Sequence, residues 1–149
     1  MNDFYNSLPM LLYRSLDTVM PTFRAIFKQF DLTEQQWRVL RVLWDEGEQP
    51  LLVLAAKTLI PSPSLVGIID RLAQRGLVQR VRCHEDRRVV KISTSPNGQA
   101  LQTQVTPMVD EAYNQLQTQL GADNWQALNH SLKTLIHTQQ PSTKMGSAQ

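Results

Sequence analysis

Hydrophobic residues recur at helical spacing along most of the chain. In the first thirty residues they are separated by 4, 3, 4, 3 and 4 positions; the set is Leu12, Leu16, Val19, Phe23, Ile26 and Phe30. This pattern predicts one long helix with an apolar seam that packs against a partner. Pro21 removes one backbone hydrogen bond, but the seam continues in phase, so we expect a bend near Thr18 and no break.

Five further helical patterns follow. Thr33 and Gln36 have the spacing of a capping box and begin a second helix that ends at Gly47. Its apolar residues, which we expect to be mostly buried, are Trp37, Leu40, Val42, Leu43 and Trp44. After a short bridging strand at residues 49–51, residues 52–59 predict a third helix, closed by Pro61.

Two more helices are predicted after Ser95. The first starts at Ser95-Pro96 and is interrupted by Pro107; its apolar residues are Leu101, Val105, Met108, Ala112 and Leu116. The second follows Gly121, and its apolar stripe is Trp125, Leu128, Leu132 and Leu135. One small domain cannot cover these stripes and the N-terminal seam together, so we expect a homodimer.

Between these groups, residues 60–93 change from helical to strand periodicity. Ser62 is the expected N-cap, Pro63 the first helical residue, and Gly76 the end of the helix. The expected buried residues are Leu65, Val66, Ile69, Leu72 and Ala73, and the expected exposed residues are Ser64, Gly67, Ile68, Arg71 and Arg75. Residues 77–81 and 89–92 then predict a hairpin.

Positive charge is concentrated in this segment. The whole chain carries a net charge of +2, whereas residues 70–91 hold seven Lys or Arg against three acidic residues, a local net charge of +4. A helix with small and polar exposed side chains, followed by a basic hairpin, fits insertion of the helix into a major groove with the hairpin on phosphates or in the minor groove. The alternative is a solvated edge whose charges only confer solubility.

Four motifs in this order resemble the winged helix-turn-helix core of MarR-type transcriptional regulators. They are Ser64-x-x-x-Ile68-Ile69-Asp70-Arg71-Leu72, Gly76-Leu77-Val78-x-Arg80, Asp86-Arg87-Arg88 and Ile92-Ser93-x-Ser95-x-x-Gly98. With the flanking helices, the resemblance covers about residues 7–139. Residues 32–38 and 63–68 are most similar to the branch that regulates homoprotocatechuate and related aromatic-acid catabolism.

The resemblance implies a mainly α fold with a small β-wing. Residues 33–95 would form the DNA-binding lobe, residues 5–31 and 96–139 the dimerisation helices, and residues 140–149 a disordered tail. Asp86 would stabilise the wing, with Arg88 in the minor groove. The expected contacts to double-stranded DNA, at a pseudo-palindromic operator, are Ser62, Pro63, Ser64, Gly67, Ile68, Arg71, Arg87 and Arg88.

Two arginines suggest an effector site. Arg14 and Arg41 each lie within one turn of an apolar seam, where a cation without an anionic partner is costly. In MarR-like regulators, small aromatic acids bind between the dimerisation helices and the DNA-binding lobe. The resemblance therefore implies a site for an aromatic carboxylate, or its CoA thioester, at Arg14, Trp37, Arg41 and Trp44. The alternative is that the arginines pair with internal acids and the tryptophans belong to the core.

Other chemistries find little support. Residues 83–86 read Cys-His-Glu-Asp, but neighbouring residues of a hairpin point to opposite faces, so these groups do not converge on a metal. Motifs of hydrolases, nucleotide-binding loops and metalloproteases are missing, so we expect neither an enzyme nor a cofactor. One cysteine, no signal peptide and no membrane-length apolar run indicate a cytoplasmic protein.

The sequence leaves several alternatives open. From another functional class, a helical adaptor dimer could bind an acidic protein through the same basic hairpin. The operator, the effector, repression or activation at a given promoter, and redox activity of Cys83 also remain open.

Overall fold

Helices dominate residues 3–138, the part of the chain that the computed structural model describes. After a 3-10 turn at Phe4–Asn6, the elements are α1 (Leu8–Gln29), α2 (Glu34–Glu46), β1 (Gln49–Pro50), α3 (Leu51–Thr58), α4 (Ser62–Gln74), β2 (Val78–Arg82), β3 (Val90–Thr94), α5 (Pro96–Leu120) and α6 (Ala122–Thr138). The predicted class, mainly α with a small β-wing, is confirmed. The predicted tail at residues 140–149 lies outside the described residues.

Helix α1 passes through Pro21 without a break, as its apolar seam predicted. The buried residues, Phe23, Ile26 and Phe27, all lie in its C-terminal part. Towards the N-terminus, the seam residues Leu12 and Leu16 are exposed. The first half of the seam is therefore not covered within the described chain.

Helix α2 begins with the predicted capping box. The Gln36 backbone N–H donates to Thr33 Oγ1 at 3.1 Å, and the Thr33 N–H donates to Gln36 Oε1 at 3.0 Å. The helix ends before Gly47, whose φ of 77° favours glycine. Its core face differs from the prediction, because Val39 is fully buried while Trp37, Val42 and Trp44 are only partly buried.

Helices α3 and α4 form a helix-turn-helix unit beside a three-stranded antiparallel sheet. Strand β3 lies between β1 and β2, so Ile92 pairs with both Gln49 and Arg80. The side chains of Leu54, Leu65 and Ile92 are fully buried and join the unit to the sheet. The wing is therefore attached to the same core as α4.

The chain divides after Asp110 into two compact units, and α5 begins in the first and ends in the second. Pro107 lies inside a continuous helix where we predicted an interruption. A proline removes one backbone donor, and the remaining hydrogen bonds suffice to carry the helix on. In the second unit, no described residue of α6 is buried.

Candidate nucleic-acid interface

Helix α4 begins one residue earlier than predicted. The Leu65 N–H donates to the Pro61 carbonyl at 2.9 Å, which makes Pro61 the N-cap and Ser62 the first helical residue. The predicted N-cap role of Ser62 is therefore wrong, and no side chain caps this end. Its amide groups are left to solvent or to a bound anion.

The exposed face of α4 also differs from the prediction at two residues. Ile68 is 2% exposed and belongs to the core, whereas Val66, expected to be buried, is 41% exposed. The buried residues are Leu65, Ile68, Ile69 and Leu72, the i, i+3, i+4, i+7 pattern of an amphipathic helix. The predicted set from Leu65 to Ala73 also has helical spacing, so periodicity alone did not distinguish the two faces. Ile68 cannot read a base in this conformation.

The other predicted contact residues of α4 lie on or near its surface. Pro63, Ser64 and Arg71 are exposed, and Ser62 and Gly67 are half-buried. A Cβ at Gly67 would meet only the Arg71 guanidinium, at 3.7 Å. Internal packing therefore does not require a glycine at this position.

The wing is a hairpin whose tip is organised by Asp86. Its Oδ1 accepts hydrogen bonds from the Arg88 backbone N–H at 3.0 Å and from Arg88 Nε at 3.2 Å. These two bonds, the backbone bond first, hold the pKa of Asp86 below its ordinary value of 3.8. The Arg88 side chain is still 91% exposed. Its charge therefore remains accessible at the end of the wing.

Several basic side chains of the segment are engaged inside the protein. Arg80 pairs with Asp70 of α4, which fixes the start of the wing to that helix. Arg82 Nη1 donates to the Arg87 carbonyl at 3.0 Å, while Arg87 itself is exposed. Arg75, expected on the free face of α4, donates instead to the Asp31 and Phe30 carbonyls. The local net charge of +4 is unchanged by these contacts, but fewer of the seven basic side chains can move onto a ligand.

Three of the four predicted effector residues lie on one face of α2. Trp37 stacks on Phe27 with ring centroids 4.7 Å apart and meets Trp44 edge-on at 5.5 Å. Arg41 lies between the two tryptophans in sequence, and its Nε is 2.7 Å from Asp45 Oδ2 in a half-exposed pair. Arg14 is exposed on α1. The structure therefore gathers Trp37, Arg41 and Trp44 and leaves Arg14 on a different helix.

The sequence and the fold both match a known family. Residues 32–90 match the model of the MarR family. The chain is 37% identical, over 132 residues and 89% of each protein, to the homoprotocatechuate degradative operon repressor of Escherichia coli. The chain belongs to the MarR family. Members of this family are DNA-binding transcriptional regulators and not enzymes, so the adaptor alternative falls away.

Solved MarR-fold structures superimpose on most of the chain. The fold matches NadR in complex with 4-hydroxyphenylacetate at a TM-score of 0.80, with 32% identity over 89% of this chain and 96% of NadR. It matches the repressor CouR bound to a 23-mer DNA duplex at a TM-score of 0.82, with 28% identity over 87% of this chain and 92% of CouR. The winged helix predicted from the sequence is therefore confirmed.

Among residues 3–138, no three His, Cys, Asp or Glu residues are grouped so that they could hold a metal ion. No single described helix is long and apolar enough to cross a bilayer; α3 and α4 meet that requirement only as a pair bent by 104°.

Proposed function

We propose that this protein is a dimeric repressor of an aromatic-acid catabolic operon. Residues 33–95 bind a pseudo-palindromic operator, and residues 5–31 and 96–139 form the dimer. A small aromatic carboxylate, or its CoA thioester, releases the DNA. The similarity to the homoprotocatechuate degradative operon repressor over 89% of the chain supports the pathway class.

The observation that carries DNA binding is the surface formed by α4 and the wing. Pro63, Ser64 and Arg71 are exposed on a helix narrow enough for a major groove, and Arg80 ties that helix to the wing. Arg87 and Arg88 are both exposed at the wing tip; a narrow minor groove would attract Arg88, and Arg87 would contact phosphate. The exposed Val66 adds an apolar contact of the kind that thymine methyl groups make.

Gly67 gives a sharp test of this surface. A glycine inside a helix costs about 1 kcal/mol relative to alanine, and the open space around it gives no internal reason for that cost. If α4 approaches DNA closely at Gly67, Gly67→Ala should raise the melting temperature and at the same time weaken operator binding. Thermal unfolding and fluorescence anisotropy on one protein preparation measure the two effects.

One result would contradict close approach of DNA at Gly67, and one control variant accompanies the measurement. A Gly67→Ala variant that is more stable and binds the operator as well as the wild type would remove this part of α4 from the interface. Gln74→Ala is the matched control, since Gln74 is exposed on the same helix but outside the proposed contact set, and it should leave operator affinity unchanged.

The effector site is proposed around the exposed edge of α2. The Arg41–Asp45 pair is half-exposed, and such pairs contribute at most about 1 kcal/mol, so a ligand carboxylate competes with Asp45 at little cost. Trp37 and Trp44, one turn before and one turn after Arg41 on the same face of α2, provide adjoining aromatic surface. Arg14 would supply a second cation from α1, in the cleft between the dimerisation helices and the DNA-binding lobe. The NadR complex with 4-hydroxyphenylacetate supports this class of ligand.

The test uses 4-hydroxyphenylacetate as the probe. It should lower operator affinity and raise the melting temperature of the wild type, because a ligand selective for one conformation stabilises that conformation. Arg14→Ala and Arg41→Gln should each reduce both responses while leaving operator affinity without the probe intact. Arg24→Ala, on α1 but paired with Glu34, is the control and should respond as the wild type does. Normal responses to 4-hydroxyphenylacetate in both variants would show that the effector does not bind at Arg14 and Arg41.

A further inference from the structure

Arg75 connects the end of α4 to the corner between α1 and α2. Its Nη1 donates to the Asp31 carbonyl at 2.6 Å, and its Nη2 donates to the Phe30 carbonyl at 2.9 Å. The residues are more than 40 positions apart in sequence. Although Arg75 is exposed, its guanidinium is thus directed at the protein backbone.

The acceptors are groups that need a donor. Phe30 is the C-cap of α1, and the last carbonyls of a helix have no partner within it. A cation at this end also interacts favourably with the helix dipole. Asp31 adopts a φ of 54°, which turns its carbonyl and that of Phe30 towards α4. Arg75 therefore caps α1 from a different helix.

The residues that follow Arg75 are held by Ser95, which directly precedes α5. The Ser95 backbone N–H donates to the Leu77 carbonyl at 3.0 Å, and the Ser95 hydroxyl donates to the Gly76 carbonyl. Residues 75–77 are consequently fixed from two directions. The C-terminal end of α4 cannot shift without disturbing either the end of α1 or the start of α5.

We propose that Arg75 is a positioning residue for operator recognition: it sets the angle of α4 through the Phe30 and Asp31 carbonyls and does not contact phosphate. The proposal rests on the operator binding proposed above. A guanidinium spans two successive carbonyls because its donors form a rigid fork, whereas a lysine ammonium is a point charge that keeps the cation without that fork. Arg75→Lys therefore removes the forked donor geometry and keeps the positive charge, whereas Arg75→Gln removes both.

The experiment compares Arg75→Lys, Arg75→Gln and the control Arg71→Gln by fluorescence anisotropy. Each is titrated against the operator recovered by selection and against a scrambled duplex, at several salt concentrations. Both Arg75 variants should bind the operator about three- to tenfold more weakly, the range expected for losing one or two intramolecular hydrogen bonds. Their affinity for the scrambled duplex and their salt slope should not change. Arg71→Gln should weaken both duplexes and reduce the slope by about 1.8, because each of the two protomers loses one phosphate contact worth about 0.9.

Three results would overturn the proposal. If Arg75→Lys behaves as the wild type and Arg75→Gln has a smaller salt slope, Arg75 is a phosphate contact. If both variants distinguish the operator from the scrambled duplex as well as the wild type does, the contact between Arg75 and the corner does not position α4. If circular dichroism shows both variants unfolded, the residue is purely structural. A wild type that does not distinguish operator from scrambled duplex would instead reject the proposed function itself.

Discussion

At the scale of single residues, the wing depends on one carboxylate. Asp86 accepts from both the backbone and the side chain of Arg88, so an acid next to two arginines organises the tip instead of repelling DNA. Without it, Arg88 would lose two of the bonds that limit its motion, and docking would cost more ordering entropy.

The lowered pKa of Asp86 gives a prediction about pH. The pKa of Asp86 is depressed in the folded state, so the contribution of the Asp86–Arg88 contact is fully present above 3.8, the ordinary value, and is lost as pH falls through the folded-state pKa. An NMR titration of the Asp86 carboxyl carbon should therefore give a midpoint below 3.8.

The matched variants assign the cause of that shift. Arg88→Met removes the side-chain donor and should bring the midpoint part of the way back, since the backbone N–H remains. Arg87→Met, whose side chain does not contact Asp86 in the structure, should leave it in place. An equal effect of both variants would mean that general positive charge, and not the specific contact, lowers the pKa.

Local contacts of this kind were predictable. The capping box of Thr33 and Gln36 and the engagement of Asp86 by a neighbouring cation both involve residues two or three positions apart, so the sequence contains all the information they need. Arg75 is the contrary case. Its acceptors are backbone carbonyls 44 and 45 positions away, which no sequence pattern marks.

At the scale of elements, the rotation of α4 decides which residues can reach DNA. Val66 and Ile68 are both apolar and two positions apart, so periodicity alone places them less surely than Leu65 or Leu72. The packing of α4 on α2, α3 and β2 buries Ile68 and turns Val66 outward. This orientation is a tertiary property, and it accounts for the error in the predicted interface.

The corrected orientation changes the mutational prediction. Ile68→Ala should destabilise the fold by about 2–5 kcal/mol, because it leaves a cavity at a fully packed position, and the selected consensus should not change. Val66→Ala should cost little stability and instead relax the sequence preference, as should Ser64→Ala. Chemical denaturation and selection from a random duplex pool measure the two quantities.

The stability of the Ile68→Ala variant can also contradict this orientation of α4. If Ile68→Ala leaves stability within about 0.5 kcal/mol of the wild type, as an exposed substitution would, α4 is rotated from the orientation described and the original assignment of its faces stands.

At the scale of the whole molecule, uncovered apolar surface supports the dimer. Within the first unit, Leu8, Leu11 and Leu16 of α1 are exposed, and within the second, Leu128 and Ile136 of α6 are exposed. Such side chains occur on both units at helical spacing, as expected for helices that pack against a second copy.

Charged substitutions on α6 test this assembly. Leu132→Asp combined with Leu135→Asp should convert the dimer into monomers at micromolar concentration, because two carboxylates would have to be buried in an apolar interface. Ser131→Asp combined with Thr134→Asp adds the same charge at exposed polar positions and should leave the dimer intact. Sedimentation velocity distinguishes the two species. A wild type that is already monomeric and still binds its full operator tightly would contradict the dimer.

The most direct test of operator binding is the affinity of the wild type for its selected duplex as salt is varied. We expect the selected pseudo-palindrome to bind at least about a thousandfold more tightly than a scrambled duplex of the same length. The logarithm of its affinity should fall linearly with the logarithm of salt concentration, by about 0.9 for each phosphate contacted. Equal affinity for both duplexes at every salt concentration would contradict operator recognition by α4 and the wing.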